Sequence, residues 1–101
     1  MDYKIDQGGD ALKVYISGVL TFDDHERFKS VVKAISDSTS ATAEIDLTET
    51  KMIDSAGIGM LLLANDRAKK AGKDVRLTGA SGHVLKVIQL PKVDEIIPVA
   101  S

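Results

Sequence analysis

Several features that would point to particular functions are missing from this sequence. It has no cysteine, which excludes disulfide bonds and thiolate metal sites and allows a reducing compartment. Lysine and arginine are scattered and the net charge is −2, so nothing indicates nucleic-acid binding. The longest apolar run, residues 58–64, is far too short to span a bilayer. The N-terminus lacks the order of a signal peptide, and we expect a soluble, cytoplasmic protein without direct membrane insertion.

What is present is the composition of one small globular domain. The chain has 101 residues, of which 44% are hydrophobic. This fraction is enough for a single modest core, and it argues against a largely disordered chain. No linker divides the chain and no segment repeats, so we expect one domain over residues 1–101.

The first third of the chain has the pattern of a strand pair followed by a helix. Residues 3–6 and the alternating Leu12, Val14 and Ile16 predict two antiparallel strands joined by a turn at residues 7–10. Thr21 is followed by an acid three positions later, Asp24, which is the form of a capping box. Apolar residues at helical spacing then predict an amphipathic helix to about residue 36.

The rest of the chain alternates short strands with helices. Strands are predicted at residues 43–47, at 75–78 and around 96–99, with residues 48–52 as a crossing loop. Helices are predicted from Ser55 to about Ala71, closed by Gly72, and from Ser81 to Leu90, stopped by Pro91. This alternation predicts an α/β fold with a mostly parallel sheet, which the opening hairpin makes mixed.

The helix after Ser55 has two different faces. At roughly 100° per residue, one arc carries the side chains that we expect to pack on the sheet: Met60, Leu61, Ala64, Ala68 and Ala71. Ser55 falls on the opposite side, near Gly59 and Leu62, with Ile58 at the margin. For Ile58 and Leu62 we favour a partner-binding role, whereas Leu63 fits equally well under a neighbouring helix.

Ser55 lies where a buried strand is predicted to meet this helix. It and Asp54 suit the N-cap position, and such a pair often has no further purpose. However, Gly57 and Gly59 follow within the first turns, and each costs on the order of 1 kcal/mol relative to alanine. Their presence indicates that bare backbone is needed there. We therefore predict that Ser55 is exposed beside the positive end of the helix and accepts a phosphate.

These residues resemble the STAS family, in particular the bacterial anti-sigma factor antagonists. The family pattern of a strand ending in hydrophobic-Asp-Leu and then Asp-Ser-Ser/Thr-Gly-Leu-Gly is matched by residues 45–47 and 54–59, and its Lys-x-Ala-Gly by residues 69–72. The resemblance covers nearly the whole chain. It implies a four- or five-stranded sheet flanked by helices, and a single STAS-like domain.

The resemblance also implies partner switching. In that scheme a serine kinase with a histidine-kinase-type ATPase fold, acting as the anti-sigma factor, binds the unmodified protein and can phosphorylate it, and a metal-dependent serine phosphatase reverses the modification. This chain departs from the pattern at Ala56, where relatives have a second hydroxyl. If position 56 were the acceptor, this chain would bind constitutively. Ser55 is the only hydroxyl in the motif and is the predicted acceptor.

The turn before the first long helix is implied to join the same surface. Thr21 and Asp24 would serve as caps there as well, whereas the capping box does not require Asp23. The residues predicted to bind the partner are Thr21, Asp23, Asp24, Asp54, Ser55, Ala56, Gly57, Ile58, Gly59 and Leu62. No catalytic residue, metal site or cofactor is predicted.

Other functions are less well supported. The nucleophile elbow Gly-x-Ser-x-Gly of esterases is absent, and the lone His25 and His83 lie in predicted helices without metal-ligand spacing. A phosphate-binding Gly-Lys-Ser/Thr element is absent too. The alternative that remains open is an accessory subunit of a membrane transporter, or a small-ligand-binding module, because STAS-like domains also attach to transporters.

Overall fold

Strands and helices alternate along the computed structural model, which describes residues 1–7, 10–89, 96–97 and 99–100. In chain order the elements are β1 (Asp2–Asp6), β2 (Ala11–Leu20), a 3-10 turn (Phe22–Asp24), α1 (His25–Asp37), β3 (Thr42–Asp46), β4 (Thr50–Ile53), α2 (Ser55–Lys70), β5 (Asp74–Thr78), α3 (Gly82–Gln89) and β6 (Val99–Ala100). The predicted antiparallel strand pair and the three predicted helices are thereby confirmed, whereas residues 8 and 9 of the predicted turn lie outside the described residues. Leu90, Pro91 and Pro98 lie outside the described residues.

The sheet has the strand order β1-β2-β3-β5-β6. β1 pairs antiparallel with β2, and the other neighbours along this path pair in parallel. Within the described residues this confirms a mixed, mostly parallel sheet with five strands along its main path. The long strand β2 also pairs with β4.

The prediction of a loop over residues 48–52 was wrong in part, because Thr50–Ile53 forms β4. This strand pairs in parallel with the last residues of β2, across a register shift between Gly18 and Val19. Thr50 is buried, and its hydroxyl donates to the carbonyl oxygen of Ile16 at 2.8 Å. The two end residues of β4 are buried and the two middle residues exposed. The strand therefore lacks the alternation by which it could be recognised.

The predicted last strand is also shorter than expected. Ile96 and Ile97 lie in a turn and a bend, and only Val99–Ala100 pairs with β5. Ile97 is nonetheless fully buried, whereas Ile96 is 56% exposed. The apolar residues that predicted a strand here thus reflect the burial of Ile97 in the core. Ile96 and Ile97 do not themselves belong to a strand.

One face of the sheet packs against the helices. Alternate side chains of β2, β3 and β5 are buried with those of α1, α2 and α3 in a single core. The intervening side chains lie on the opposite face, where the register places Lys13, Glu44 and Arg76 side by side. Because these charges alternate in sign and Arg76 pairs with Glu44, this face is compatible with water.

The helix α2 crosses the sheet with its predicted apolar face inward. Met60, Leu61, Ala64 and Ala68 are buried, as expected. The prediction that Ala71 is buried was wrong, because Ala71 is the exposed C-cap, where the backbone leaves the helical conformation. Gly72 follows with a φ of +76°. Its N–H donates to the Lys69 carbonyl and the next N–H to the Ala68 carbonyl, which is a Schellman motif.

Candidate partner-binding site at the start of α2

Two strand ends and two helix starts meet at one edge of the sheet. Leu20 of β2 is paired with Ile53 of β4, and the Asp54 N–H donates to the Leu20 carbonyl oxygen at 3.2 Å. The next residues therefore emerge side by side: the 3-10 turn that leads into α1, and the first turn of α2. Residues far apart in the chain are brought together here.

Asp54 connects these two segments. One oxygen of its carboxylate accepts the Gly57 N–H at 2.7 Å, and the other accepts the Phe22 N–H at 3.3 Å. Its own backbone is extended, with φ −95° and ψ −178°, as expected for an N-cap residue. Asp54 is thus the cap of α2 and at the same time fixes the position of the 3-10 turn.

Because Asp54 takes the cap position, Ser55 is left as the first residue of the helix. Ser55 is exposed, as predicted, and its hydroxyl has no hydrogen bond to another described residue. It lies beside the N–H groups of the first turn, where the helix dipole favours negative charge. An accessible, uncommitted hydroxyl in this place can receive an anionic group without breaking a native contact.

The two glycines of the motif differ. A Cβ on the buried Gly57 would collide with the Leu20 carbonyl oxygen and lie 2.7 Å from Ile53 Cγ2. A Cβ on the exposed Gly59 would meet no atom within 4 Å. The fold therefore requires glycine at position 57 and gives no reason for it at position 59.

In the turn before α1, two of the three predicted residues have structural contacts. The Asp24 carboxylate accepts the Thr21 N–H at 2.9 Å and the α-ammonium of Met1 at 2.7 Å. Partial burial raises the pKa of Asp24, but these hydrogen bonds and the charge of the ammonium outweigh it, so that the pKa is lowered. Asp23 is exposed and has no side-chain partner among the described residues, which leaves it accessible.

The apolar residues of the motif are only partly exposed. Ile58 and Leu62 are half-buried and pack against the core, and Ala56 is half-buried as well. Leu63, which the sequence left open, is 39% exposed. A partner can therefore contact Ile58 and Leu62 along one side only, and their binding role stays a prediction.

Three exposed apolar residues near this site were not identified from the sequence. Phe22 is 69% exposed, and Val19 and Met52, which are paired across β2 and β4, are 39% and 44% exposed. The only signal for Phe22 was an apolar residue inside a capping box that does not need one. Below, the Ser55 surface means the accessible residues of this edge: Phe22, Asp23, Ser55 and Gly59, with Val19 and Met52 beside them.

Comparison with known proteins agrees with this architecture. The family model described as "Mlab, STAS domain" matches residues 3–98. The chain belongs to the STAS domain family. A STAS-domain containing protein of Pseudomonas aeruginosa is 25% identical over 92 residues, which cover 91% of this chain and 90% of that protein.

Several solved structures superpose on most of this chain. An anti-sigma factor antagonist from Mycobacterium paratuberculosis superposes with a TM-score of 0.85 at 15% identity, over 97% of this chain and 83% of that one. The Bacillus cell fate determinant SpoIIAA in its phosphorylated form gives 0.72 at 17%, over 99% and 92%. A sulfate transporter family protein from Wolinella succinogenes gives 0.76 at 19%, over 89% and 75%. At these identities the likeness shows the fold alone.

The described part of the chain offers neither a metal site nor a membrane-spanning helix. Those residues contain no group of three or more histidine or acidic side chains that could hold a metal ion. None of the helices described is both long and apolar enough to cross a membrane.

Proposed function

We propose that this STAS domain is a phosphorylation-controlled partner-switching protein of the anti-sigma factor antagonist type. Its unmodified form binds a serine kinase with a histidine-kinase-type ATPase fold, which is the anti-sigma factor, and Ser55 is the phosphoacceptor. A metal-dependent serine phosphatase restores the binding form. One observation carries the proposal. Asp54 caps α2, so the Ser55 hydroxyl is not needed as a cap and is left exposed.

The chemistry requires little of this chain beyond presenting the hydroxyl. Ser55 Oγ would form a bond to the γ-phosphorus of ATP, the bond from that phosphorus to the bridging oxygen would break, and ADP would leave. The hydroxyl proton would pass to a base of the kinase. On this view the STAS domain is a substrate and binding protein, and the prediction that it is not an enzyme is kept.

The modification changes the surface more than the fold. A phosphoserine carries about −1.5 to −2 charges at neutral pH. The N-terminus of α2 favours this charge, and Ser55 has no native hydrogen bond to a described residue that would be lost. By contrast, a partner that covers the exposed apolar Phe22 would have to bury the new charge beside it. Burying an unpaired charge is costly. One modification can therefore abolish binding and leave the domain folded.

Binding of the variant Ser55→Asp tests this proposal. Serine kinases of the histidine-kinase-type ATPase fold, purified from the same cells, are titrated against wild type, Ser55→Ala and Ser55→Asp. We expect Ser55→Ala to bind like wild type and Ser55→Asp to bind at least about tenfold more weakly, since a buried or adjacent unpaired charge costs several kcal/mol. Circular dichroism and melting temperature should be the same for all three. Equal binding by wild type and Ser55→Asp would reject the switch.

The alternative function is an accessory role at a membrane transporter. The fold comparison supports it, because a sulfate transporter family protein has the same fold. Isolation from native membranes separates the two functions. Recovery with a permease complex, unaffected by Ser55→Asp, would favour the transporter role. Recovery with a serine kinase, lost in Ser55→Asp, would favour switching. The cytoplasmic location and the absence of a cofactor stay predictions in both cases.

A further inference from the structure

A groove of about 400 Å³ runs between α1 and α2. Its apolar residues are Phe28 and Val32 from α1 and Met60 and Leu63 from α2. Phe28 and Met60 are buried and close the groove from below, whereas Leu63 is 39% exposed. This α1–α2 groove thus has an apolar floor, which solvent reaches at Leu63 and in part at Val32.

The rim of the α1–α2 groove is basic. Lys29 and Lys33 of α1 and Arg67 of α2 line it, and no carboxylate does. The two lysines pair with Glu26 and Asp37 of their own helix, at 3.2 and 2.8 Å. Arg67 has no ion pair with a described residue. Exposed pairs of this kind contribute little, so all three cations can be recruited by an acidic ligand.

The groove begins next to the Ser55 surface. His25 lines its near end and stacks on Phe22, with the ring centroids 6.1 Å apart. The Phe22 N–H is bound by the carboxylate of Asp54, the residue before Ser55. A protein that contacts Phe22 and Ser55 therefore has a continuous path into the groove.

We infer that the α1–α2 groove binds an acidic amphipathic helix of the protein partner. The inference rests on the proposed function for the existence of that partner and adds a second point of contact. Apolar side chains at positions i, i+3, i+4 and i+7 of the helix fill the floor, and its glutamates or aspartates pair with Arg67, Lys29 and Lys33.

A helix suits this groove better than an extended segment or an alkyl chain. The helices α1 and α2 offer no free strand edge, so an extended ligand gains no backbone pairing here, whereas a helix satisfies its own backbone hydrogen bonds. The side-chain ridges of a third helix can pack into the surface grooves of α1 and α2. A single alkyl chain would keep one side in water along the open floor.

Two synthetic peptides provide the test. The acidic peptide is helical, with leucines at the four spaced positions and glutamates beside them, and the basic peptide replaces each glutamate by lysine. Both are titrated into the full chain, with binding read by fluorescence anisotropy and by amide chemical shifts. We expect the acidic peptide to bind, to shift the amides of Val32 and Leu63, and to bind more weakly at high salt. The basic peptide should not bind.

A matched pair of variants tests the rim. Arg67→Glu should weaken the acidic peptide about tenfold, because it replaces a charge-assisted contact by repulsion. Lys86→Glu makes a like change at an exposed cation of α3 outside the groove and should leave binding unchanged. If Arg67→Glu does not fold, as judged by circular dichroism, Lys33→Glu serves instead.

Ser55→Asp separates this inference from the proposed function. It should bind the acidic peptide normally, so loss of kinase binding together with retained peptide binding supports both ideas. If Ser55→Asp still binds the kinase, the proposed phosphorylation switch is rejected, but the inference about the α1–α2 groove is not affected. The groove inference is overturned if the acidic peptide fails to bind at millimolar concentration, if the basic peptide binds equally well, or if the shifts fall elsewhere. It is also overturned if dodecanoate binds there more tightly than the peptide, since the groove would then suit a single-chain anionic amphiphile.

Discussion

The buried and exposed sides of the first turn of α2 differ in what they contribute to the fold. On the buried side, Gly57 sits against the Leu20 carbonyl oxygen, and its N–H is bound by Asp54. On the exposed side, Ser55 has no hydrogen bond to a described residue, and Gly59 has open space where a side chain would be. Residues of one short motif thus divide into a group that the fold needs and a group that it does not. Ser55 and Gly59, in the second group, are free to contact a partner.

Replacing Gly57 should have the largest effect on stability. In Gly57→Ala the added Cβ collides with backbone at Leu20 and with Ile53. Because backbone cannot move away as a flexible side chain can, we expect a loss of about 1–3 kcal/mol or more in the free energy of unfolding. Urea denaturation measures it. A variant as stable as wild type would show that the two strand ends and α2 can separate, and the comparison between the two sides would fail.

Replacing Gly59 should have the opposite effect on stability. Gly59→Ala adds a methyl group into open space and removes the helix penalty of glycine, so the free energy of unfolding should rise by about 0.5–1 kcal/mol. If the bare backbone serves the close approach of a partner, the same variant should bind the kinase more weakly. If the variant is more stable and binds the kinase normally, Gly59 does not contact the partner.

Truncating Phe22 should affect binding without affecting the fold. The side chain is 69% exposed, so Phe22→Ala should change the free energy of unfolding by no more than about 0.5 kcal/mol. An exposed aromatic residue next to Ser55 has the character of a binding anchor, and we expect kinase affinity to fall about tenfold or more. Tyr15→Ala, which truncates an exposed aromatic residue on the polar face of the sheet, is the control and should bind normally. Equal losses in both variants would indicate a non-specific effect.

The smallest expected effect concerns Asp24 and pH. Its lowered pKa means that the folded state binds a proton less readily than the unfolded chain does. The stabilisation is therefore complete above the ordinary aspartate pKa and is lost as the pH falls through the lowered value in the folded state. Asp24→Asn should be less stable than wild type at neutral pH, and the difference should shrink in acid. Urea denaturation at a series of pH values measures this, and a difference independent of pH would contradict the role of the charge.

Local sequence signals predicted much of the fold. The alternation in β2, the capping box at Thr21 and the glycine after α2 each depend on neighbours within a few residues, and each is confirmed. β4 was missed because its burial does not alternate, so no period-two pattern of apolar residues marks it as a strand. The end of the chain was misread because Ile97 is buried without being in a strand.

For the site, the sequence identified the motif but not the roles within it. That Asp54 and not Ser55 caps α2 is seen from the hydrogen bond that the Gly57 N–H donates to the Asp54 carboxylate. That the fold needs glycine at position 57 follows from its close contact with the Leu20 carbonyl oxygen. The contact between Gly57 and Leu20 forms because the end of β2 lies beside the first turn of α2. No pattern within the motif predicts it.

The intact mass of the protein isolated from its native cells tests the central claim most directly. With phosphatase inhibitors present, we predict a fraction of wild-type protein heavier by one phosphate, mapped by fragmentation to Ser55 and removed by phosphatase treatment. Ser55→Ala should show only the unmodified mass. A phosphate on another residue, or one that persists in Ser55→Ala, would contradict the account.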